Sequence, residues 1–431
     1  MKITTTALVV LANAGTLAAQ TTSLPARDSI VLSRGAAISA ALARNPQLDV
    51  AREQTAQARA RRVQAVALPD PAATFSLDNQ AHFLDLGQAP SRNAVVEWQV
   101  PFPDKFRLRN RIATADIRSA ELSYTSTRQT LAAQTSGAYD TLLVAIQHHA
   151  VVLMSRDLAA DFLKKTQARY EGGTAAKLDV IRAQVSLAEA ENDLIGTARD
   201  IQTASDALDR LIGAPIGTPI APVDSLEVPP PIPDVALLEQ AALAARPELA
   251  SLASQRAGAR ANTSLAREFW LPDFTLGAQR DYGIAGEGTG ALFTAGIALP
   301  VPIFYWQHTK GEIAESQHRE RELEATARDL QAAVSQDVRA AYASATAALR
   351  QAVYLRDQLL PSAREAYRVA SVSYGLGGSS ALDVLDARRS LLDAELQYAD
   401  ALAAANSSRA DLERAVATPL SSFDVQPRKA P

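Results

Sequence analysis

The residues of this 431-residue chain that best suit chemistry are two aspartates, Asp383 and Asp386. They follow the glycine-rich turn 375–378 by about one helical turn, and residues three apart share one helix face. Two carboxylates on one face attract cations. The alternative is structural, since acidic residues in a first turn stabilise the positive end of a helix. That alternative applies equally to Asp383 and to Asp179.

Motifs of the common enzyme classes do not occur in a suitable context. The sequence holds no nucleophile elbow, zinc-protease helix, phosphate-binding loop or dinucleotide fingerprint. The single histidine cluster is His148 with His149, and adjacent helical positions face different ways. Cysteine is absent, and Met1 and Met154 are the only methionines, so no soft ligand set exists for Cu(I) or Ag(I). We therefore predict a protein that is not an enzyme, with no cofactor and no metal site.

The amino-acid composition further narrows the possible fold classes and partners of the protein. Hydrophobic residues make up 47% of the chain but aromatic residues only 5%, so alanine supplies much of the apolar content. Alanine packs helices closely rather than filling a thick core. The formal net charge of −4 offers no basic field, and we expect no nucleic-acid partner.

The first 20 or so residues are typical of a secretory signal peptide. Lys2 supplies the positive start, residues 7–11 are apolar, and small residues end at Ala19, where we place the cleavage. Without cysteine, the mature chain is not a cysteine-linked lipoprotein. Beyond the signal no run of 18 apolar residues exists, so no transmembrane helix is expected.

The sequence repeats itself with an offset of about 200 residues. NPQL at 45–48 recurs as RPEL at 246–249, VPFP at 100–103 as LPVP at 299–302, and LDV at 178–180 as LDV at 382–384. A proline-rich segment separates the copies and is predicted to be extended. The predicted organisation is a signal peptide at 1–19, repeat 1 at 20–213, a linker at 214–234, repeat 2 at 235–418 and a tail at 419–431.

Each repeat has the same predicted order of elements. A helix (33–67 and 235–269) precedes an extended pair (72–100 and 273–299), a very long helix (104–170 and 306–373) and a last helix (175–212 and 380–417). A helix of roughly 65 residues spans on the order of 100 Å, which no single globular core requires. The last helices carry heptads such as Val180, Leu187 and Leu194, which indicate a left-handed coiled coil. A purely fibrous coiled coil is the alternative, but it would not need the extended pairs.

The extended pairs alternate with period two over about 8–11 residues, the length of a tilted membrane strand. All three tryptophans lie at their ends: Trp98, Trp270 and Trp306. Aromatic rings favour the membrane–water interface, so we predict contact with membrane lipid there. Four strands do not close on themselves, and open edges are not tolerated in lipid. Three protomers would supply about 12 strands, within the range of known membrane barrels. The alternative is a soluble sheet with a hydrophobic edge.

Several segments together resemble the TolC-type outer-membrane efflux family, in particular its heavy-metal (CzcC-like) branch. They are the NPQL and RPEL helices, GIALPVPIFYWQHTKGEIAES at 296–316, YEGGTAAKLDVIRAQVSLAEAE at 170–191 and YGLGGSSALDVLDARRSLLDAEL at 374–396. The resemblance covers almost the whole mature chain. It implies a mainly α fold with membrane β structure: long antiparallel coiled-coil helices forming an α-barrel, plus four strands per protomer in a trimeric 12-stranded β-barrel.

The resemblance also implies partners and site residues. Members form homotrimers in the outer membrane of Gram-negative cells, with the helical tube in the periplasm. The tips of the tube dock a periplasmic adaptor (membrane fusion protein), which couples it to an inner-membrane RND-type pump. By analogy, Asp383 and Asp386 would line the pore constriction as two rings of carboxylates. The adaptor-contact tips would include Gly172, Gly173, Gly377 and Gly378.

The family closes its tips with a tyrosine and an arginine of the second hairpin that meet an aspartate of the first. Tyr374 matches the tyrosine and Asp179 the aspartate, but the arginine position is Ser379. Arg182, Arg388 and Arg389 are nearby charges that would substitute, and the sequence does not choose among them.

The predicted function is a passive duct that completes a tripartite efflux system, with divalent metal cations as cargo. The same architecture would serve organic toxicants or a type I protein-secretion system. A periplasmic coiled-coil scaffold is the alternative from a different class, and the strands with aromatic ends argue against it.

Overall fold

The computed structural model describes residues 30–78, 91–282, 290–299, 301, 303 and 309–423. Trp306 and the predicted signal peptide lie outside these residues. Within them, no helix combines the length and the apolar character that crossing a membrane requires. The elements in chain order are β1 (Ile30–Leu32), α1 (Arg34–Arg44), α2 (Pro46–Val66), β2 (Ala72–Asp78), β3 (Ser91–Val100), α3 (Pro103–Glu171), α4 (Lys177–Ile212), β4 (Ile220–Pro222), α5 (Val235–Ala245), α6 (Pro247–Arg267), β5 (Asp273–Tyr282), β6 (Gly290–Ala298), α7 (Thr309–Tyr354), α8 (Leu360–Leu376) and α9 (Ala381–Val416).

The prediction of one helix at 33–67 and one at 235–269 was wrong, because each is two helices. The break falls before Pro46 and before Pro247, each of which occupies the first position of the next helix. Proline suits a first turn but forces the preceding residue into an extended conformation. Asn45 adopts φ −74° and ψ 125°, and its side chain accepts from the amide of Gln47 at 2.9 Å. The repeated NPQL and RPEL segments therefore mark helix breaks.

A four-stranded antiparallel sheet has the order β2-β3-β5-β6. Its centre is the β3–β5 pair, so the hairpin of the first copy is joined to the hairpin of the second. Strands β2 and β6 are its two edges. A second, small sheet that the sequence did not reveal pairs β1 with β4 in parallel. It places the first part of the linker beside the beginning of repeat 1.

The long helices confirm the expected tube-like architecture. Helix α3 runs uninterrupted for 69 residues, which corresponds to roughly 100 Å. In the second copy, α7 and α8 are joined by a π-helical turn at Leu355–Leu359, and Pro361 is the second residue of α8. The buried positions Leu355 and Leu360 are five residues apart. A π-turn holds one residue more than an α-helical turn. Leu355 and Leu360 therefore lie on the same side of the helix and both face the neighbouring helix, although they are five residues apart.

The last helices α4 and α9 pack along the long ones. On α4 the heptad of large residues is only half-buried at Val180 and Leu187. A second heptad, three residues further on, consists mainly of small residues and is buried at Ala183, Ala190 and Ala204. Alanine at the contact lets the two helix axes approach closely. Buried residues form a series of clusters along the helices rather than one central core.

The segment between the copies has neither helix nor strand from residue 223 to residue 234. It crosses α9, where the side chain of Asn406 donates to the carbonyl of Glu227 at 3.0 Å and that of Arg409 donates to the carbonyl of Pro230 at 3.0 Å. These bonds fasten the connection between the copies to the second copy's last helix.

Candidate functional site

Two hairpin turns lie together at one end of the helices. The first joins α3 to α4 and the second joins α8 to α9. Each needs a residue with positive φ, supplied by Gly173 at 72° and Gly377 at 84°. A side chain at Gly378 would place its Cβ 2.8 Å from the hydroxyl of Ser373. These glycines, which the sequence predicted at the tips, are therefore required by the turns themselves.

Arg169, near the end of α3, joins the two turns. Its guanidinium donates to the carbonyl of Tyr374 on the second hairpin and, at 3.3 Å, to the carbonyl of Thr174 on the first. The same group lies over the ring of Tyr374, with Cζ 4.4 Å from the ring centroid. One side chain thus combines a cation–π contact with charge-assisted hydrogen bonds across the hairpins.

Tyr374 is the one predicted gate residue that the structure buries, with 3% of its surface exposed. Its ring packs on Phe162 at a centroid distance of 5.3 Å, and its hydroxyl lies 3.4 Å from the hydroxyl of Thr166. The tyrosine thus meets the first hairpin, but its partners are on α3. Asp179 lies in the first turn of α4, half-buried, 4.0 Å from Arg182.

Asp383 caps helix α9. Its Oδ2 accepts from the backbone amide and from the hydroxyl of Ser380, both at 2.8 Å, while Ser380 accepts from the amide of Asp383 at 3.2 Å. These hydrogen bonds from Ser380 hold the pKa of Asp383 below its ordinary value. The carboxylate is exposed and charged at neutral pH, but it also has the structural task that the sequence left as an alternative.

Asp386 lies one turn further along α9 and is exposed, with no role in the cap. It lines a groove of about 620 Å³ between α3, α4 and α9. Charged residues of both signs share the groove: Arg182, Glu189, Asp193, Asp386, Arg388, Arg389 and Asp393. Asp386 is therefore better placed than Asp383 to act on ions, in surroundings that also contain arginines.

Of the three candidate arginines, Arg182 lies on the first hairpin itself, and Arg388 is the one on the second hairpin that donates hydrogen bonds to the first. Its Nη1 donates to the hydroxyl of Ser155 on α3 at 2.7 Å, and its Nη2 donates to the hydroxyl of Ser186 on α4. Burial lowers the pKa of this guanidinium. Ser379, at the expected arginine position, donates instead to the carbonyl of Ala370 at 3.0 Å.

The register of the sheet gives it two different faces. Val96 pairs with Ala73 and Ala278, while its neighbour Val95 pairs with Thr74 and Gln279. The first face holds Ala73, Phe75, Ala94, Val96, Trp98, Val100, Phe274, Leu276, Ala278, Phe293, Ala295 and Ile297. The second holds Thr74, Ser76, Asn93, Glu97, Gln99, Thr275, Gln279, Asp281 and Thr294. Arg280 is on the apolar face towards the end remote from the helices.

The junction between sheet and helices is tied by polar contacts. Trp98 donates from Nε1 to the carbonyl of Pro69 at 2.6 Å, and Lys105 at the start of α3 lies 2.8 Å from Asp273 at the start of β5. Trp270, in a short 3₁₀ turn before β5, is 60% exposed. Two of the three predicted interface tryptophans are thus at this junction, and the third lies outside the described residues.

A metal centre is not indicated by the part of the chain that the structure describes, where no group of three or more histidine, aspartate or glutamate side chains is suitably placed. His148 and His149 point to different helices: the first lies 2.9 Å from Asp400 on α9, the second 2.9 Å from Thr197 on α4. Both histidines take part in contacts between helices.

Comparison with known proteins agrees with this architecture. The outer membrane efflux protein family model matches residues 37–214 and 238–418. The cobalt-zinc-cadmium resistance protein CzcC of Cupriavidus metallidurans is 24% identical over 391 residues, 88% of each chain. The pyoverdine export outer membrane protein OpmQ of Pseudomonas aeruginosa is 26% identical over 365 residues, 80% of this chain and 76% of that protein.

A solved structure of the outer-membrane channel OprN superposes with a TM-score of 0.75 and 18% identity, covering 90% of each chain, which shows a shared fold. The resemblance that the sequence predicted is confirmed at the level of the family. The chain belongs to the outer membrane efflux proteins, a TolC-like family of channels rather than enzymes.

Proposed function

We propose that this chain is one protomer of an outer-membrane duct that passively conducts cargo from the periplasm to the exterior. The observation that carries the proposal is the sheet, one face of which is mainly apolar while the other carries most of the polar side chains. A strand surface of this kind suits lipid on one side and water on the other. The attached helices, roughly 100 Å long, suit a passage that continues away from the membrane.

The sheet is incomplete by itself, which supports a homotrimer. Edges β2 and β6 would present unpaired backbone groups to lipid, where no water is available to satisfy them. Pairing β6 of one protomer with β2 of the next satisfies both edges. Three protomers then close about 12 strands, with Trp98 and Trp270 near the periplasmic lipid interface.

The turns at the other end of the helices are the proposed contact for a periplasmic adaptor, which would couple the duct to an inner-membrane RND-type pump. Gly173 and Gly377 close these turns with positive φ, and with Gly172 and Gly378 they are the residues we propose for the contact. The proposed gate is nearby, formed by Asp383 and Asp386 with Tyr374 and Asp179. We further propose export by a signal peptide cleaved near Ala19.

Divalent metal cations are the cargo we propose first. CzcC, a resistance protein for cobalt, zinc and cadmium, is similar over most of its length. The exposed carboxylates of Asp383 and Asp386 at the start of α9 would favour cations at the narrow end of the duct. A duct releases its cargo, so weak attraction by carboxylates suits it better than a closed metal site.

Organic solutes are the second candidate, favoured by a specific cleft. A space of about 620 Å³ extends across α2, α3, α6 and α7. Its polar lining consists of amide and hydroxyl side chains, among them Gln54, Ser119, Gln255 and Asn262, together with the charged side chains of Arg61, Asp116 and Arg319. A mixture of hydrogen-bonding groups with two arginines suits a polar organic molecule better than a bare cation. The similarity to OpmQ, a pyoverdine export protein, points in the same direction.

The duct is tested by cell fractionation and by conductance in planar bilayers. We expect the protein in the outer-membrane fraction, as a trimer whose migration in detergent changes on heating, with discrete conductance steps. Release by osmotic shock without detergent, or absence of conductance, would contradict the proposal.

For the cargo, deletion of the gene is expected to lower tolerance to cobalt, zinc and cadmium. Unchanged metal tolerance with lowered tolerance to organic toxicants would select the second candidate.

A further inference from the structure

We propose that three exposed arginines next to the sheet, Arg62, Arg107 and Arg111, form a surface that binds the phosphate of anionic phospholipids in the periplasmic leaflet of the outer membrane. We call these three residues the arginine collar. The inference rests on the proposed duct, because it needs the sheet to span that membrane. It concerns the outside of the tube, away from the tips and from the passage.

The helix ends next to the sheet differ in charge between the two copies. Residues 59–66 and 103–121 of the first copy contain eight lysines and arginines and three acidic residues. The corresponding residues of the second copy, 260–267 and 302–320, contain four and three. The first copy thus carries an excess of positive charge at this level, which the architecture shared by the copies does not explain.

Lys105 identifies the side of α3 that continues the polar face of the sheet. Its ammonium lies 2.8 Å from Asp273, which precedes Thr275 by two residues and therefore belongs to the polar face. Asp116, about three helical turns beyond Lys105, is on the same side and lines the cleft described above. Arg107 follows Lys105 by two residues, about 200° around the helix, and so lies on the side that continues the apolar face.

The other two collar residues share this outer side. Arg111 is four residues beyond Arg107 and therefore on the same helix face, and both are exposed. Arg62 reaches that face from α2, where its Nε donates to the side chain of Asn110 at 2.8 Å. Its neighbour Arg61 lines the cleft on the opposite side. Three positive charges are thus gathered on the outside of the tube.

The charge of the collar is only partly neutralised. Arg107 forms an ion pair with Asp104. The acceptor of Arg62 is a neutral amide, and the ion pairs found among the described residues of this region include neither Arg62 nor Arg111. A guanidinium binds phosphate through paired, charge-assisted hydrogen bonds. The collar therefore suits a phosphate group, and a trimer presents it three times.

The distance from the sheet favours the phosphate of a lipid. Trp98 near the end of β3 and the exposed Trp270 before β5 mark the edge of the apolar face. The polar headgroup layer beyond the hydrocarbon core is roughly 5–7 Å thick. Arg107 and Arg111 are about 6 Å and 12 Å from the start of α3, and their long side chains extend this reach. Basic clusters beside a membrane recognise anionic lipids in this way.

The experiment measures the lipid preference of the full-length trimer by quenching of tryptophan fluorescence. The trimer is placed in phosphatidylcholine vesicles in which either added phosphatidylglycerol or the phosphatidylcholine itself carries brominated acyl chains. Quenching of Trp98 and Trp270 then reports which lipid is adjacent. We expect the wild type to prefer phosphatidylglycerol roughly 10-fold or more, since each arginine beside an anionic lipid contributes roughly fivefold. Higher salt should weaken the preference.

Substitutions assign the preference to the collar. Arg62→Gln and Arg111→Gln should each lower it roughly 2- to 5-fold, and the triple variant with Arg107→Gln should abolish it. Arg118→Gln is the matched control, because Arg118 is exposed on the same side of α3 but about 17 Å beyond Arg107. The control should stay within about twofold of the wild type. Added inorganic phosphate should leave the preference unchanged.

Several results would overturn the proposal. One is equal preference in the wild type and the triple variant, and another is equal loss in Arg118→Gln. Displacement of the lipid by inorganic phosphate would indicate a site for free anions. Unchanged lipid preference with lowered efflux in cells carrying the triple variant would assign the collar to an acidic protein partner.

Protein assembly and the duct itself are checked separately. Heat-modifiable migration shows whether each variant forms the trimer. If the triple variant does not assemble, Arg62→Gln and Arg111→Gln still decide, because both positions are exposed. Absence of quenching of the wild type by any brominated lipid would refute the membrane duct, a result distinct from a missing preference for phosphatidylglycerol.

Discussion

The guanidinium of Arg169 lies over the ring of Tyr374, 4.4 Å from its centroid, and donates to the carbonyl of the same residue. The two residues belong to different hairpins, one from each copy of the repeat. Cation–π contacts are worth about 0.5–2 kcal/mol, depending on how far they are desolvated. Because Tyr374 is buried, this contact fixes the distance between the two turns that form the tip.

Replacing the ring of Tyr374 should loosen the tip. Tyr374→Leu removes the π face, and we expect backbone amides near Gly377 and Gly378 to exchange about 5- to 10-fold faster, corresponding to about 1 kcal/mol. Tyr374→Phe keeps the ring and loses only the contact to Thr166, so it serves as the control. Hydrogen exchange with mass spectrometry of the tip peptides measures both. Equal exchange in the two variants would show that the ring does not hold the turn.

The two aspartates of α9 should separate into two roles. Asp386→Asn is expected to lower cation selectivity in planar bilayers with little change in the helix, because Asp386 has no part in the cap. Asp383→Asn should also increase hydrogen exchange in the first turn of α9, because Ser380 loses its charged acceptor. The double variant should show the lowest selectivity. Reversal potentials in a KCl gradient give the selectivity, and an unchanged potential in the double variant would remove both residues from the gate.

Stability should depend on pH through a carboxyl in the middle of α3. Burial raises the pKa of Asp140 to about 6, although Arg34 donates to it and opposes the rise. In the unfolded chain the value is near 3.8, so the folded state binds the proton more tightly. Proton binding by Asp140 therefore stabilises the folded state fully below pH 4, and this contribution to the free energy of unfolding is lost as pH rises through 6. The difference between the two pKa values corresponds to at most about 3 kcal/mol.

Urea unfolding of the trimer in detergent at several pH values between 4 and 7.5, followed by circular dichroism, measures this contribution. We expect Asp140→Asn to flatten the pH dependence in that window, because an amide still accepts from Arg34 but does not ionise. Parallel curves for the wild type and the variant would show that another group is responsible.

Adjacent valines provide a matched test of the two sheet faces. Val96 is on the apolar face and Val95 on the polar face. Val96→Arg would place a charge in lipid and should cost about 2–4 kcal/mol if it lies near the bilayer midplane. Val95→Arg should preserve the amount of trimer and alter conductance instead. The yield of heat-modifiable trimer in outer membranes reports the difference, and equal yields would contradict the assignment of faces.

The repeating patterns of the sequence predicted the elements well, because periodicity is a local property. Alternation predicted two different sides for each strand, but only the register shows that the apolar sides of all four strands coincide. The helix breaks were missed although their prolines were noticed, since Pro46 and Pro247 are equally compatible with a kinked helix. The β1–β4 pair joins three-residue strands too short to recognise.

The site was less predictable. Asp383 was singled out from its spacing, and Tyr374 and the turn glycines through family resemblance. Arg169 was not, because nothing in the sequence of a long helix distinguishes one arginine from another. Its importance depends on which side chain faces it across the hairpins. Likewise, Arg388 was one of three candidates. The positions of Ser155 and Ser186 show that it joins the two hairpins, whereas Arg182 lies on the first hairpin and Arg389 is exposed.

The π-helical turn at Leu355–Leu359 sets the direction in which the side chains of α8, Leu360–Leu376, point around the helix axis. Each residue of an α-helix advances the chain by about 100° around its axis. Removing one residue from this turn would restore a regular helix and rotate the stretch from Leu360 to Leu376 by about that angle. Tyr374 would then face away from Arg169. The orientation of the tip is thus determined at a point some 15 residues, or about 22 Å, further up the helix.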